Sequence, residues 1–287
     1  MTSRVYGGSV RWRRFKDRLM FYLAALCVVL AVIPLFSILI EVFRNGAAAL
    51  TLEFLTSLPG PVGEPGGGVA NAIQGTLILI GLTSLIGVPL GVLTGVYLAE
   101  FGDNRYAQFI RFLSDVLAGL PSIVIGIFAY SAVVVTLGSY SALAGAFSLA
   151  IIMLPVVSRT TEEAVRLVPH TIREAAMALG IPRWKTIIRI VLATARGGIL
   201  TGVMLAVARI AGETAPLIMT ILGSQWWFAG LDHPMDALPL RIWRLALQPY
   251  EYAHLQGWGS ALLLILLVLS LNVVVRLATR GRVLRPG

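Results

Sequence analysis

The sequence predicts an all-α membrane protein of six transmembrane helices with both termini on the cytoplasmic side. Three observations carry that prediction. The apolar share is too high for a water-soluble fold, the apolar residues fall into six separate runs, and the basic residues gather on alternate connections. Of the 287 residues, 57% are apolar and 13% charged, and the mean hydropathy is +0.84. Soluble domains carry roughly a quarter charged residues and about 45–50% apolar ones. A soluble fold of this length could not hide so much apolar surface, so lipid is the simpler solvent.

A helix crosses the hydrocarbon of a bilayer with about 20 largely apolar residues. The first run, 20–40, follows Arg11, Arg13, Arg14, Lys16 and Arg18 and superficially resembles a signal peptide, with Arg13-Arg14-Phe15 hinting at a twin-arginine signal. It outlasts the roughly 7–15 apolar residues of such a signal, so it reads as a retained anchor helix. Runs 73–98 and 116–137 follow. The fourth, 142–157, is short, and the turn Gly138-Ser139-Tyr140-Ser141 before it suits a tight helical hairpin. Runs 194–222 and 258–277 complete the set. Residues 1–19 then form a basic cytoplasmic N-terminus, 20–277 one transmembrane domain, and 278–287 a basic cytoplasmic tail.

Orientation follows from lysine and arginine, which concentrate on cytoplasmic connections. With the N-terminus inside, the inner segments hold eighteen of the 23 basic residues, and the outer ones hold only Arg44, Arg241 and Arg244. Arg196 and Arg209 fall within a span. The net charge of +9 is thereby accounted for by topology rather than by nucleic acid. The lone Cys27 lies in the first run and offers no disulfide framework. The Pro- and Gly-rich stretch 59–68 reads as an irregular, solvated outer loop. Trp226, Trp227, Trp243, Tyr250, Tyr252 and Trp258 suit anchoring at the headgroup level better than a ligand-stacking box.

The longest inner segment, 158–193, carries the best local signal. Thr171 and Glu174 have the spacing of a capping box, in which each side chain satisfies the other's backbone amide. Pro169 discourages an earlier continuous helix, Gly180 sits where a helix end wants a left-handed residue, and Pro182 suits the first turn of the next helix. A short helix over 172–179 results. On spacing alone Glu174 only caps it, and Ala175 and Ala176 only favour helicity. The functional alternative is a capped, small-residue helix that slots into a groove on a partner.

Inside the membrane, Arg209 and Glu213 stand one turn apart in the fifth run. Buried charge in a span costs about 2.5–3.5 kcal/mol on insertion scales, so the pair should face protein or water. Pro216 removes a backbone donor and crowds the carbonyl of Gly212, so this span should bend beside the charges. The pair reads as a pathway or gate, with a self-satisfied intrahelical ion pair and a static pair holding subunits together as the plain rivals. Asp115 reads as interfacial and Asn272 as an interhelical hydrogen-bonding group. His170, His233 and His254 lack ligand spacing, so no metal site is expected.

The stretch Glu174 to Ala193, EAAMALGIPRWKTIIRIVLA, resembles the EAA loop of bacterial ABC importer permeases: Glu174, Ala175, Ala176, Gly180, Ile190 and Leu192 match, and Ala193 replaces a final proline. Residues 71–77 (NAIQGTL), 97–100 (YLAE), 119–124 (GLPSIV), 212–217 (GETAPL) and 234–240 (PMDALPL) resemble the PstA-type phosphate permease branch. The resemblance covers nearly the whole chain. It implies a type I importer permease fold whose loop helix couples to an ATPase, with Glu174, Ala175, Ala176 and Gly180 at the contact. It also implies import of inorganic phosphate by alternating access in the bacterial inner membrane. The implied partners are a second, PstC-like permease subunit, a PstB-like ATPase dimer and an extracytoplasmic PstS-like binding protein. Arg209 would then suit the phosphate anion, since a guanidinium forks onto its oxygens. No G-x-x-x-x-G-K-[ST] loop is present, so the chain is expected to be no enzyme and to need no cofactor of its own, ATP and Mg being held by the partner. Permeases for sulfate or molybdate, a proton-coupled secondary transporter using Glu213, and a non-transporting scaffold are the alternatives.

Overall fold

The computed structural model describes residues 10–280, with side chains over 12–277. The outer parts of the basic segments 1–19 and 278–287 lie outside the described residues. The chain runs through α1 (Val10–Gly46), the short α2 (Leu52–Thr56), α3 (Ala70–Glu100) and α4 (Arg105–Gly119). Next come α5 (Ser122–Leu137), α6 (Ala142–Arg166), α7 (His170–Ala178) and α8 (Arg183–Ala211). Three helices close the chain: α9 (Ala215–Thr220), α10 (Leu238–Ala246) and α11 (Glu251–Arg280). There is no strand among the described residues. Of these helices α1, α3, α6, α8 and α11 are long and apolar enough to cross a membrane, and the protein is a multi-pass membrane protein.

Two spans differ from their sequence expectation. The run 116–137 is not one helix: α4 and α5 meet at 105° and amount to a sixth crossing only as a bent pair. The cause is local, because Pro121 forces Leu120 into an extended conformation (ψ 137°) and then caps the start of α5. Asp115 accordingly lies on α4, where it pairs with Arg159 of α6 at 2.8 Å. The run 194–222 is likewise two helices. α8 starts eleven residues earlier than expected, at Arg183, and stops at Ala211, with Gly212 as its cap. Pro216 does not bend a continuous helix; it sits in the first turn of α9, where its missing N–H is no loss. The expected kink is therefore a break.

The fourth span extends beyond expectation to Arg166 and becomes the centre of the bundle. Its hairpin turn forms as the sequence suggests, with Gly138 left-handed (φ +72°) and the Ser141 hydroxyl accepting from the Ala144 amide at 3.2 Å. Two-thirds of its apolar window (67%) is buried in the protein, against none (0%) for α1. Small residues allow this. Gly87, Gly91 and Gly95 of α3 face Met153, Val157 and Ser158 of α6. A Cβ on Gly91 would lie 2.7 Å from that of Val157, and one on Gly95 2.4 Å from the Ser158 carbonyl oxygen. On the other flank Gly198 and Gly202 of α8 abut Ala164 and Thr160. In lipid, where apolar side chains gain little from meeting one another, such close backbone approach is what holds helices together. α1 and α11 form an outer layer that meets at Gly46 and Trp258. Asn272 of α11 makes no hydrogen bond to another helix among the described residues.

At the end of the bundle opposite α7, two separated stretches mate. Asn71 donates to the Ser224 carbonyl (2.8 Å), Gln74 accepts from the Phe228 amide (3.2 Å) and Thr76 accepts from the Leu238 amide (2.8 Å). Gly75 leaves room for the Asp236 carbonyl, 1.9 Å from where a Cβ would stand. The loop 59–68 is held rather than merely solvated: the Gly63 amide donates to the Tyr252 hydroxyl (2.7 Å) and Gln256 donates to the Gly66 carbonyl (2.8 Å). Asp236 is buried and pairs with the buried Arg241. Burial pushes the Asp236 carboxyl up from its ordinary value, against the pull of Arg241 and Arg244. Removing one partner of a buried pair costs about 3–5 kcal/mol. Arg241→Met and Asp236→Asn are each expected to lower the melting temperature in detergent, since each leaves one buried member of the pair without its partner. Equal melting of Arg241→Met and the unaltered protein would refute this lock.

Candidate functional site

α7 is set by its ends. Pro169, extended at ψ 139°, precedes it, and the helix begins at His170 rather than at 172. Thr171 therefore lies inside the helix, and the expected Thr171–Glu174 capping box does not form. The C-terminal expectation holds. Gly180 is left-handed (φ +76°), the Gly180 amide donates to the Met177 carbonyl (2.9 Å) and the Ile181 amide to that of Ala176 (3.2 Å). These two bonds are the Schellman pattern, which satisfies carbonyls the helix end would otherwise leave bare. One face of α7 turns inward: Ala176 is buried and Ile172 packs on Val165, Val168, Val191 and Ala195. The other faces out. Glu174, Ala175 and Gly180 are exposed, and Glu174 makes no ion pair within the described residues. Leu167, Met177, Leu179 and Trp184 stand exposed around it. Apolar side chains rimming an unpaired carboxylate suit a protein partner better than water.

Arginines tie this helix to the bundle. Arg173 bridges the Glu100 carboxylate at the end of α3 (3.0 Å) and donates to the carbonyls of Val165 and Val168. Arg183 donates to the Glu100 carbonyl (2.7 Å), its guanidinium 4.6 Å from the Phe101 ring centre. Arg111 of α4 donates to the carbonyls of Leu98 (2.8 Å) and Gly102 (3.0 Å) and pairs with the buried Glu162 of α6. Arg166 joins Glu162 at 2.6 Å. A cleft of about 640 Å³ lies among Glu100, Asp103, His170, Arg173, Glu174 and Arg183. Sequence reasoning missed Glu100, Arg111, Glu162 and Arg173 as functional candidates. Their partners lie 51 and 73 positions apart, so no local spacing announces them.

The charged pair of the fifth run stands at the α8–α9 break. The Arg209 Nε and a Glu213 carboxylate oxygen are 3.8 Å apart, a loose contact, with the Arg209 side chain 48% exposed and that of Glu213 18% exposed. Arg209 therefore faces away from this chain's own core. The break itself is packed from behind, where Gly126 of α5 lets the Pro216 backbone approach to 2.7 Å from a would-be Cβ. Irregular backbone at membrane depth is tolerated where protein covers it or a wet cavity adjoins it. Of the expected residues, then, Glu174, Ala175 and Gly180 come together on the exposed side of α7 while Ala176 packs inward. Arg209, Gly212, Glu213 and Pro216 come together at the break, a separate place. His170, His233 and His254 join no cluster of potential metal ligands among the described residues.

A bundle with one exposed, capped helix at its end and a broken, charged helix within it has the type I ABC importer permease fold. The chain aligns with a bacterial alginate ABC transporter over 96% of its own length and 99% of that chain, at a TM-score of 0.67 and 15% identity. With the MetNI methionine ABC transporter the coverage is 74% and 96%, at a TM-score of 0.58 and 17% identity. These likenesses concern the fold. Residues 87–281 match the family described as binding-protein-dependent transport system inner membrane component, and the chain belongs to it, in its PstA branch. Phosphate transport system permease protein PstA of Pasteurella multocida is 46% identical over 92% of this chain and 95% of that protein. PstA of Yersinia pestis is 42% identical over 92% and 90%, and PstA 1 of Mycobacterium tuberculosis 41% identical over 94% and 92%.

Proposed function

We propose that the chain is a membrane-spanning permease subunit of an ATP-driven importer of inorganic phosphate. The observation that carries the reading is α7: a capped helix whose exposed face carries an unpaired Glu174, on a chain over two-fifths identical to phosphate permeases. In this reading α7 docks into a separate ATPase dimer that holds ATP and Mg, and the chain itself is not an enzyme. A second permease subunit stands beside it, and an extracytoplasmic binding protein delivers phosphate at the opposite end. Both termini and α7 lie on the cytoplasmic side of the bacterial inner membrane, with 20–277 as the permease domain. The sequence bias of basic residues supports that orientation.

Arg209 and Glu213 act at the pathway in this scheme. The half-exposed guanidinium offers donors to a passing oxyanion, and the loose contact with Glu213 holds it without consuming it. Gly212 and Pro216 supply the break that lets this segment move while α8 stays helical.

The test is ATP hydrolysis by the chain co-purified with candidate partners in lipid, with and without phosphate-loaded binding protein. Stimulation by phosphate but not by sulfate or molybdate is the expected result. Stimulation by another oxyanion alone would reassign the substrate, and uptake driven by a proton gradient without an ATPase would make the chain a secondary transporter. Arg209→Ala is expected to lower uptake at least about tenfold, the scale of a lost charge-assisted contact, with the assembled complex intact. Unchanged uptake would return Arg209 to a structural role.

A further inference from the structure

Coupling in such a subunit needs a route from α7 into the helices that move, and two routes stand out among the described residues. One is continuity: α7 leads through the Gly180 turn into α8 and so to Arg209. That route is soft, because Gly180 is a left-handed hinge with no atom within 4 Å of a would-be Cβ. The first turns of α8 also contain a π-helical stretch, Ile187–Val191, whose wider hydrogen bonding marks a locally weak helix. The other route is lateral. Arg173, in the middle of α7, spends all three guanidinium nitrogens on fixed groups: the Glu100 carboxylate and the carbonyls of Val165 and Val168. Its side chain is 13% exposed and that of Glu100 only 6%. Arg183, just beyond the hinge, grips the Glu100 carbonyl as well.

Glu100 is the last residue of the 31-residue α3, and Val165 lies in the last turn of α6. α3 and α6 are the pair interlocked by Gly87, Gly91 and Gly95. A carbonyl-rich helix end favours cations, and a largely buried bridge with all three guanidinium nitrogens engaged has one geometry rather than many. Displacement of α7 thus reaches α3 and α6 through fixed polar contacts, and reaches α8 through a hinge, a π-helical turn and the adaptable apolar packing of Ile172 on Val191 and Ala195. We infer that the buried Arg173–Glu100 bridge, joining α7 to the end of α3, is the positioning link that carries the ATPase stroke into the α3–α6 pair. The inference rests on the importer reading above and adds the route within it.

The test uses the full complex in proteoliposomes, reading phosphate taken up and ATP hydrolysed together. The unaltered complex first has to show both; if it shows neither, the importer reading fails and the route with it. Given a working complex, Glu100→Gln and Arg173→Gln are expected to lower phosphate moved per ATP at least about tenfold while hydrolysis continues, as loss of a buried partner implies. Arg173→Lys, which keeps the charge, is expected to recover a large part of that ratio. An unchanged ratio, or uptake and hydrolysis falling in proportion, would overturn the route. A second measurement leaves the bridge intact, with spin labels at Asp103→Cys and Thr171→Cys in a Cys27→Ser background. The distance between them is expected to stay constant between nucleotide-free and ATP-bound complexes, and a nucleotide-dependent change would overturn the proposal.

Discussion

Glu174→Lys is expected to reduce phosphate uptake to background while the chain still inserts and folds. Glu174 is exposed on the outward face of α7 and forms no ion pair among the described residues, so its replacement removes none of the support described there. A lysine there leaves the helix intact and reverses the charge offered to a partner, which costs several kcal/mol when like charges meet at an interface. Gly180→Leu should reach the same end by another route. Nothing stands within 4 Å of a Cβ at this position, so space is not the obstacle. The obstacle is the backbone at φ +76°, which a leucine adopts only with strain. The C-terminal cap of α7 would open and its aim would be lost. Uptake assays beside co-purification with the ATPase separate these effects, and undiminished uptake in both variants would remove α7 from coupling altogether.

The second large effect belongs to the bundle itself. Gly95→Leu is expected to deplete folded protein, because a Cβ would meet the Ser158 carbonyl oxygen at 2.4 Å and the Thr161 Cβ at 2.6 Å. The obstructing oxygen is backbone, so relief requires α3 and α6 to separate, at a cost toward the upper end of the about 1–3 kcal/mol typical of overpacking. Gly81→Leu on the same helix is the control, since nothing lies within 4 Å of its Cβ position. Its leucine would face lipid and should be tolerated. Monodisperse yield after detergent extraction, compared for the two variants, decides the matter. Equal yields would mean that the glycine row does not hold the central pair.

Four of the six expected spans lie inside single helices, α1, α3, α6 and α11, because twenty apolar residues in a row leave the chain few alternatives. The two that broke did so at Pro121 and at Gly212–Pro216, residues visible in the sequence. What their neighbours would permit was not visible. A proline in lipid gives a kink when the helix can rejoin beyond it and a break when other helices cover the freed backbone groups. For Pro216 that cover is Gly126, 90 positions away. The row Gly87, Gly91, Gly95 does carry a sequence signal, the four-residue spacing of small residues at a helix–helix seam. The Thr171–Glu174 box failed for the opposite reason: its spacing was right, but Pro169 had already started the helix one residue before Thr171.

The sequence by itself determined that this chain dwells in lipid, which way its basic connections bias it, and where one small helix ends at Gly180. Those properties depend on solvent preference and on one residue's backbone freedom, and both are local. Only the tertiary structure decided which charges are joined: that Arg173 of α7 meets Glu100, that Asp236 lies buried on Arg241, and that Arg209 is left half-open at a break. A guanidinium binds whichever oxygen packing brings within about 3 Å, and no pattern along a chain records which helix will lie alongside.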